Sequence, residues 1–135
     1  MKQAIARDSL VLYADDDADD RLFMELGFLP HPELRLRTFP DALALLSSIP
    51  AIGAGHISAI IVDKDMPRLG GIETLRKLRS LPAMEHTPLV LFTTSLSTAD
   101  RIACAALNAR CFLKPGGLRE QEIVIDKIIS TCCQY

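Results

Sequence analysis

Ile57-Ser58-Ala59-Ile60-Ile61-Val62-Asp63 is an apolar run that closes on a carboxylate, and Lys64-Asp65-Met66-Pro67 follows it. A short run rich in β-branched side chains reads as a strand buried on both faces. A polar residue at the carboxyl end of such a strand lies on the rim of the sheet, where open α/β sheets bind ligands. Asp63 is therefore the first candidate functional residue. Its companions must come from the ends of other strands.

Three other runs end in the same way. Residues 10–14 lead into Asp15-Asp16, residues 88–94 end in Thr93-Thr94, and the short run from Arg110 ends at Lys114. Residues 34–39 alternate Leu-Arg-Leu-Arg-Thr-Phe, the period of a half-exposed edge strand. Helical spacing fills the gaps. It predicts a helix over 17–29 with Leu22, Leu26 and Leu29 inward and with Asp17, Asp19 and Asp20 suiting the positive end of its dipole. A second is predicted over 40–49, with Pro40 in its first turn, Ala42, Leu45, Leu46 and Ile49 inward, and a loop over 50–55 after it. Gly70-Gly71 opens a third, with Ile72, Leu75 and Leu78 inward. A fourth spans 97–109 with Ser97 or Thr98 as N-cap, and a fifth spans 118–133 with Ile125, Ile128, Ile129 and Cys132 inward.

Strands separated by helical crossovers give a parallel sheet covered on both faces. The expected fold is α/β, a (βα)5 doubly wound five-stranded sheet. The 135 residues suit one domain, expected to span 1–135 with no output domain attached. A chain 49% hydrophobic and 24% charged has the material for a core. A net charge of −2 offers no basic surface for nucleic acid or anionic membrane. Neither a signal peptide nor a membrane span is expected, so the chain reads as cytoplasmic, and Cys104, Cys111, Cys132 and Cys133 as reduced thiols. His31, His56 and His86 read as surface residues.

In a doubly wound sheet, Asp15, Asp16, Asp63, Thr93 and Lys114 share one edge. Carboxylates crowded there repel one another, and a hard divalent cation is their natural partner. Mg2+ suits one or two carboxylates, a carbonyl, waters and a phosphoryl oxygen. A lysine and a hydroxyl opposite it would hold the other phosphoryl oxygens, and a carboxylate can act as the nucleophile. Each residue alone has a plainer reading: a helix cap for Asp63, capping and dipole compensation for Asp15-Asp16, a surface lysine for Lys114, strand propensity for Thr93. Those readings do not require a shared edge.

Taken in order, Asp15-Asp16, Asp63-Lys64-Asp65-Met66-Pro67 with Gly71 beyond, Thr93, and Lys114-Pro115 resemble the receiver domain of bacterial two-component response regulators over essentially the whole chain. The resemblance implies a flavodoxin-like strand order 2-1-3-4-5 and a stand-alone phosphoacceptor rather than an enzyme. Asp63 would be the phosphorylated residue. Asp16, Asp63 and the Asp65 carbonyl would ligate Mg2+, with Asp15 helping through water. Thr93 and Lys114 would contact the phosphoryl group, and Lys114-Pro115 would be a cis peptide. The implied donor is a sensor histidine kinase or histidine phosphotransfer protein. Signalling would go to an unknown downstream protein, the chain being a monomer or weak homodimer.

Two features depart from that family. Cys111 stands where an aromatic usually lies three residues before the lysine, and Asn108-Ala109-Arg110 replaces the usual Gly-Ala turn. The threonine–aromatic relay is therefore missing its ring, and readout is expected through the loop after the fourth strand. Two alternatives stay open. One is a pseudo-receiver that binds partners without phosphate. The other is a haloacid-dehalogenase-type phosphatase, against which Met66-Pro67 and the mid-chain position of Asp63 count.

Overall fold

The computed structural model describes residues 9–133. The N-terminal residues, where no signal peptide is expected, lie outside them. Strands β1 (Leu10–Ala14), β2 (Arg35–Phe39), β3 (Ile57–Val62), β4 (Leu89–Thr93) and β5 (Arg110–Leu113) alternate with helices α1 (Ala18–Phe28), α2 (Ala42–Ile52), α3 (Gly71–Arg79), α4 (Thr98–Ala106) and α5 (Leu118–Cys132). All pairings are parallel and the order is β2-β1-β3-β4-β5, as expected. The edge strand β2 keeps its period of two over Arg35 to Thr38, with Arg35 and Arg37 exposed and Leu36 and Thr38 half-buried, and breaks it at the buried Phe39.

Alternation along the strands sorts the core into two faces. Leu12, Ala14, Ile60, Val62 and Leu91 pack under α2, α3 and α4. Val11, Tyr13, Ile61, Val90 and Phe92 pack under α1 and α5. On α5 the predicted Ile125, Ile128, Ile129 and Cys132 are the buried residues, while Ile123 faces outward.

The inner face of α1 differs from expectation. Leu22, Leu26 and Leu29 are exposed, and Met24, Gly27 and Phe28 are buried. Both triplets fit a helical repeat, and Gly27 decides between them. A Cβ there would lie 2.8 Å from Ile125 Cγ2, so this bare side of α1 is the one that approaches α5. Helix α2 also begins later and ends later than expected. Asp41 caps it by accepting Ala44 N at 2.8 Å, which leaves Pro40 outside. The helix then continues through Pro50 to Ile52 and stops at Gly53, whose φ of 88° suits glycine. Near its end, Pro50 costs the helix one hydrogen bond.

Arg79, at the end of α3, fastens the opposite edge of the sheet from the candidate site. Its guanidinium donates to the carbonyls of Met84, Thr87 and Leu107 at 2.8 Å, of Asn108 at 3.0 Å and of Glu85 at 3.2 Å. Arg79→Met is expected to lower stability by about 2–4 kcal/mol, because several partly buried acceptors lose their donor together. A urea midpoint unchanged from wild type would contradict this.

Candidate functional site

Backbone hydrogen bonds carry the sheet ladder one residue past the strands and so fix the residues of the rim. Asp15 N donates to Phe39 O at 3.1 Å, Asp63 N to Ala14 O at 3.0 Å and Lys114 N to Thr93 O at 2.7 Å. With Ala14 level with Val62, Asp15 and Asp63 emerge side by side. Carboxylate oxygens of Asp15, Asp16 and Asp63 all lie within 4.8 Å of one another. Asp15 is fully buried, Asp63 nearly so, and Asp16 is exposed.

Asp15 is held on three sides. Tyr13 Oη donates to its Oδ2 at 2.5 Å, Asp17 N to its Oδ1 at 2.9 Å, and Lys114 Nζ lies 2.5 Å from Oδ2. Burial, then the Asp15 charge, hold the Tyr13 phenol far above its usual range, so it stays a donor. Lys114 Nζ also meets Asp20 Oδ2 at 2.9 Å and Asp63 Oδ1 at 3.1 Å. Burial works to lower the Lys114 ammonium, but hydrogen bonds to Asp15 and Asp20 and the surrounding charge raise it, leaving a fixed cation. Burial pushes the Asp63 carboxyl up to about 6, with Lys114 opposing and Asp15 adding to the shift.

Thr93 is fully buried at the end of β4, and its hydroxyl has no hydrogen-bond partner. An unsatisfied buried hydroxyl costs free energy and needs a reason. Placed on a rim with a lysine and three carboxylates, it suits a polyoxygen ligand. The donor set is all hard oxygen, which suits a divalent cation.

Gly71 explains why glycine follows the Asp63 segment. A Cβ there would lie 2.3 Å from Asp63 O and 2.8 Å from Lys64 Cα, and Gly71 N donates to Lys64 O at 2.8 Å. Gly71→Ala must therefore push the backbone that carries Asp63. It is expected to cost about 1–3 kcal/mol or more of stability, readable by denaturant unfolding. Wild-type stability in that variant would contradict the close approach.

Other expected members fall differently. The Asp65 side chain is exposed and outside the acid cluster, while its backbone N–H works to lower the Asp63 carboxyl. No peptide bond among the described residues is cis, so Lys114-Pro115 is trans, the isomer that an X–Pro bond favours by about 0.5–1 kcal/mol. Asp20 joins the site from α1, although sequence spacing pointed only to the helix dipole. It lies four residues after Asp16, so one helical turn carries it back toward the rim. Lys64 was also missed. Its Nζ meets Asp100 Oδ2 at 3.0 Å and Ser95 Oγ at 3.2 Å, tying the segment after Asp63 to the capping box of α4.

With this geometry in hand, comparison with known proteins is direct. The profile of the response regulator receiver domain matches residues 11–124. The chain belongs to that family. Receiver domains are signalling domains, typically phosphorylated on an aspartate beside a divalent cation in an acidic pocket, and they interact with histidine kinases or phosphotransfer proteins. The chain is 30% identical over 111 residues to response regulator Rcp1 of Synechocystis sp., covering 77% of this chain and 74% of that one. It is 25% identical over 129 residues to chemotaxis protein CheV2 of Helicobacter pylori, covering 95% of this chain and 41% of the relative. Among solved structures, the Mn(2+)-bound form of Rcp1 superposes with a TM-score of 0.80 at 22% identity, covering 90% of this chain and 92% of that one. The phosphorylated cyanobacterial phytochrome response regulator RcpA gives 0.76 at 21%, covering 90% and 91%. These two structures establish the shared receiver fold. Among the described residues, no helix is long and apolar enough to cross a membrane.

Proposed function

We propose that this receiver accepts a phosphoryl group on Asp63 from the histidine of a kinase or phosphotransfer protein, and that it does so with Mg2+. Asp16 and Asp63 would hold the ion with the Asp65 carbonyl, and Asp15 would act through water. A bound ion would neutralise the phosphoryl oxygens as they approach the acids. The observation that carries the reading is the buried, unpartnered Thr93 hydroxyl on the rim shared with Asp63 and Lys114. A phosphoryl oxygen gives that hydroxyl an acceptor. Lys114 has only to exchange one of its carboxylate partners for another phosphoryl oxygen. The single-domain organisation and cytoplasmic location belong to the same proposal.

Stoichiometry separates this reading from a phosphatase. Incubation with acetyl phosphate and Mg2+ is expected to add one phosphoryl group per chain by intact mass, without sustained turnover of a generic phosphate ester. Continuous release from the ester would favour the enzyme. Failure to add a phosphoryl group under any Mg2+ concentration would favour the pseudo-receiver.

The Asp63 carboxyl also sets a pH dependence. Metal must displace its proton, and a group titrating at about 6 is mostly charged at neutral pH and mostly protonated one unit lower than its midpoint. Mg2+ affinity is therefore expected to fall on the order of tenfold between pH 8 and pH 5, measured by calorimetry. Affinity flat across that range would contradict the assignment of Asp63 as a ligand.

A further inference from the structure

Cys104 on α4 and Cys111 on β5 pack in one apolar cluster, Cys104 fully buried and Cys111 at its half-exposed margin. The turn between them is closed by backbone hydrogen bonds. Ala109 N donates to Cys104 O at 2.8 Å and Leu107 N to the same oxygen at 3.1 Å. Cys111 lies two residues beyond Ala109, on the same side of the strand. The Cys111 sulfur is near enough to add to the upward push on the Cys104 thiol, after burial. Arg101, one turn before Cys104, brings Nη1 to 3.9 Å from Cys111 Sγ. Cys132 and Cys133 pack on the opposite face of the sheet.

Neighbouring thiols, one partly open to solvent with a guanidinium beside it, have the makings of a dithiol redox site. We propose that Cys104 and Cys111 form a reversible disulfide that links α4 to β5 when the chain meets a low-molecular-weight disulfide. The half-exposed Cys111 sulfur attacks one sulfur of the oxidant, forming a mixed disulfide and expelling one thiolate. Cys104 then attacks the Cys111 sulfur, forming the protein disulfide and releasing the second half of the oxidant. The Cys104 proton leaves with that half as a thiol. Two protein thiols lose two electrons, and one oxidant disulfide becomes two thiols. Burial pushes the Cys104 thiol up to about 11, so the more open Cys111 opens the exchange, and Cys104 resolves it through its place beside Cys111.

The link forms independently of phosphorylation, so its test stands apart from the function proposed above. Its effect falls on the output side. Helix α4 is tied through Asp100 to Lys64, the neighbour of Asp63, and Cys111 is the position that lacks the usual aromatic.

The whole chain, folded by circular dichroism, is treated with glutathione disulfide, then alkylated and mapped. Alkylatable thiols are expected to fall from four to two. Trypsin cuts after Arg101, Arg110 and Arg119, so peptides 102–110 and 111–119 should travel as one species until dithiothreitol separates them. Cys111→Ser should yield no link, and Cys132→Ser should still form it. A glutathione adduct that persists on Cys111, a link through Cys132 or Cys133, or four free thiols after oxidation overturns the proposal.

Discussion

An Asp63→Asn variant takes up no phosphoryl group from acetyl phosphate under conditions where the wild-type chain takes up one. The amide keeps the shape but cannot act as the nucleophile. Intact-mass spectrometry is the measurement, and uptake at the wild-type level would remove Asp63 from its role. The same variant tests the electrostatics in metal-free buffer. The folded-state carboxyl titrates at about 6, above the ordinary value of 3.8. Folding therefore favours its protonated form, and that contribution is present at low pH and lost as pH rises through about 6. Asparagine has no proton to lose. Asp63→Asn should be more stable than wild type at pH 8, on the order of 1–2 kcal/mol after allowance for solvent screening, with the gap closing toward pH 5. A gap that widens on acidification would contradict the burial argument.

Lys114→Met is expected to have the largest effect on stability. The ammonium is 4% exposed and sits among Asp15, Asp20 and Asp63, whose side chains are 1%, 22% and 10% exposed. Removing it leaves nearly buried carboxylates facing one another without their cation. Breaking a buried ion pair costs about 3–5 kcal/mol, and the partial exposure of Asp20 points to the lower end. Mg2+ should restore part of the loss, since a divalent ion can take over the neutralisation. Urea unfolding with and without Mg2+ measures both effects. A midpoint that does not move in metal-free buffer would show that the acids do not depend on Lys114.

The rim of the sheet was legible because the strands that supply it, β1, β3, β4 and β5, are largely apolar runs that stop on a polar residue. In a parallel sheet those stops share an edge, so Asp15, Asp63, Thr93 and Lys114 could be brought together without coordinates. The family resemblance rests on these residues, and the matched profile spans all of them. What was not legible lies in contacts between elements. Leu22, Leu26 and Leu29 fit a helical repeat as well as Met24, Gly27 and Phe28 do, and only the approach of Ile125 to Gly27 separates them. Asp20 reads as one more acid in a helical first turn until Lys114 is seen beside it. Lys64 and Asp100 are 36 residues apart, and no local pattern pairs them. The position of Cys111 was noticed for the ring it lacks. Its sulfur matters because the chain turns Cys104 toward it.

The most direct measurement maps the phosphoryl group to its residue. The chain is loaded with acetyl phosphate and Mg2+, reduced with borohydride and sequenced by mass spectrometry, so that an aspartyl phosphate becomes homoserine. Homoserine at position 63, absent without Mg2+, is the expected result. Homoserine at Asp15, Asp16 or Asp65 instead, or no conversion at all, would contradict Asp63 as the phosphoacceptor.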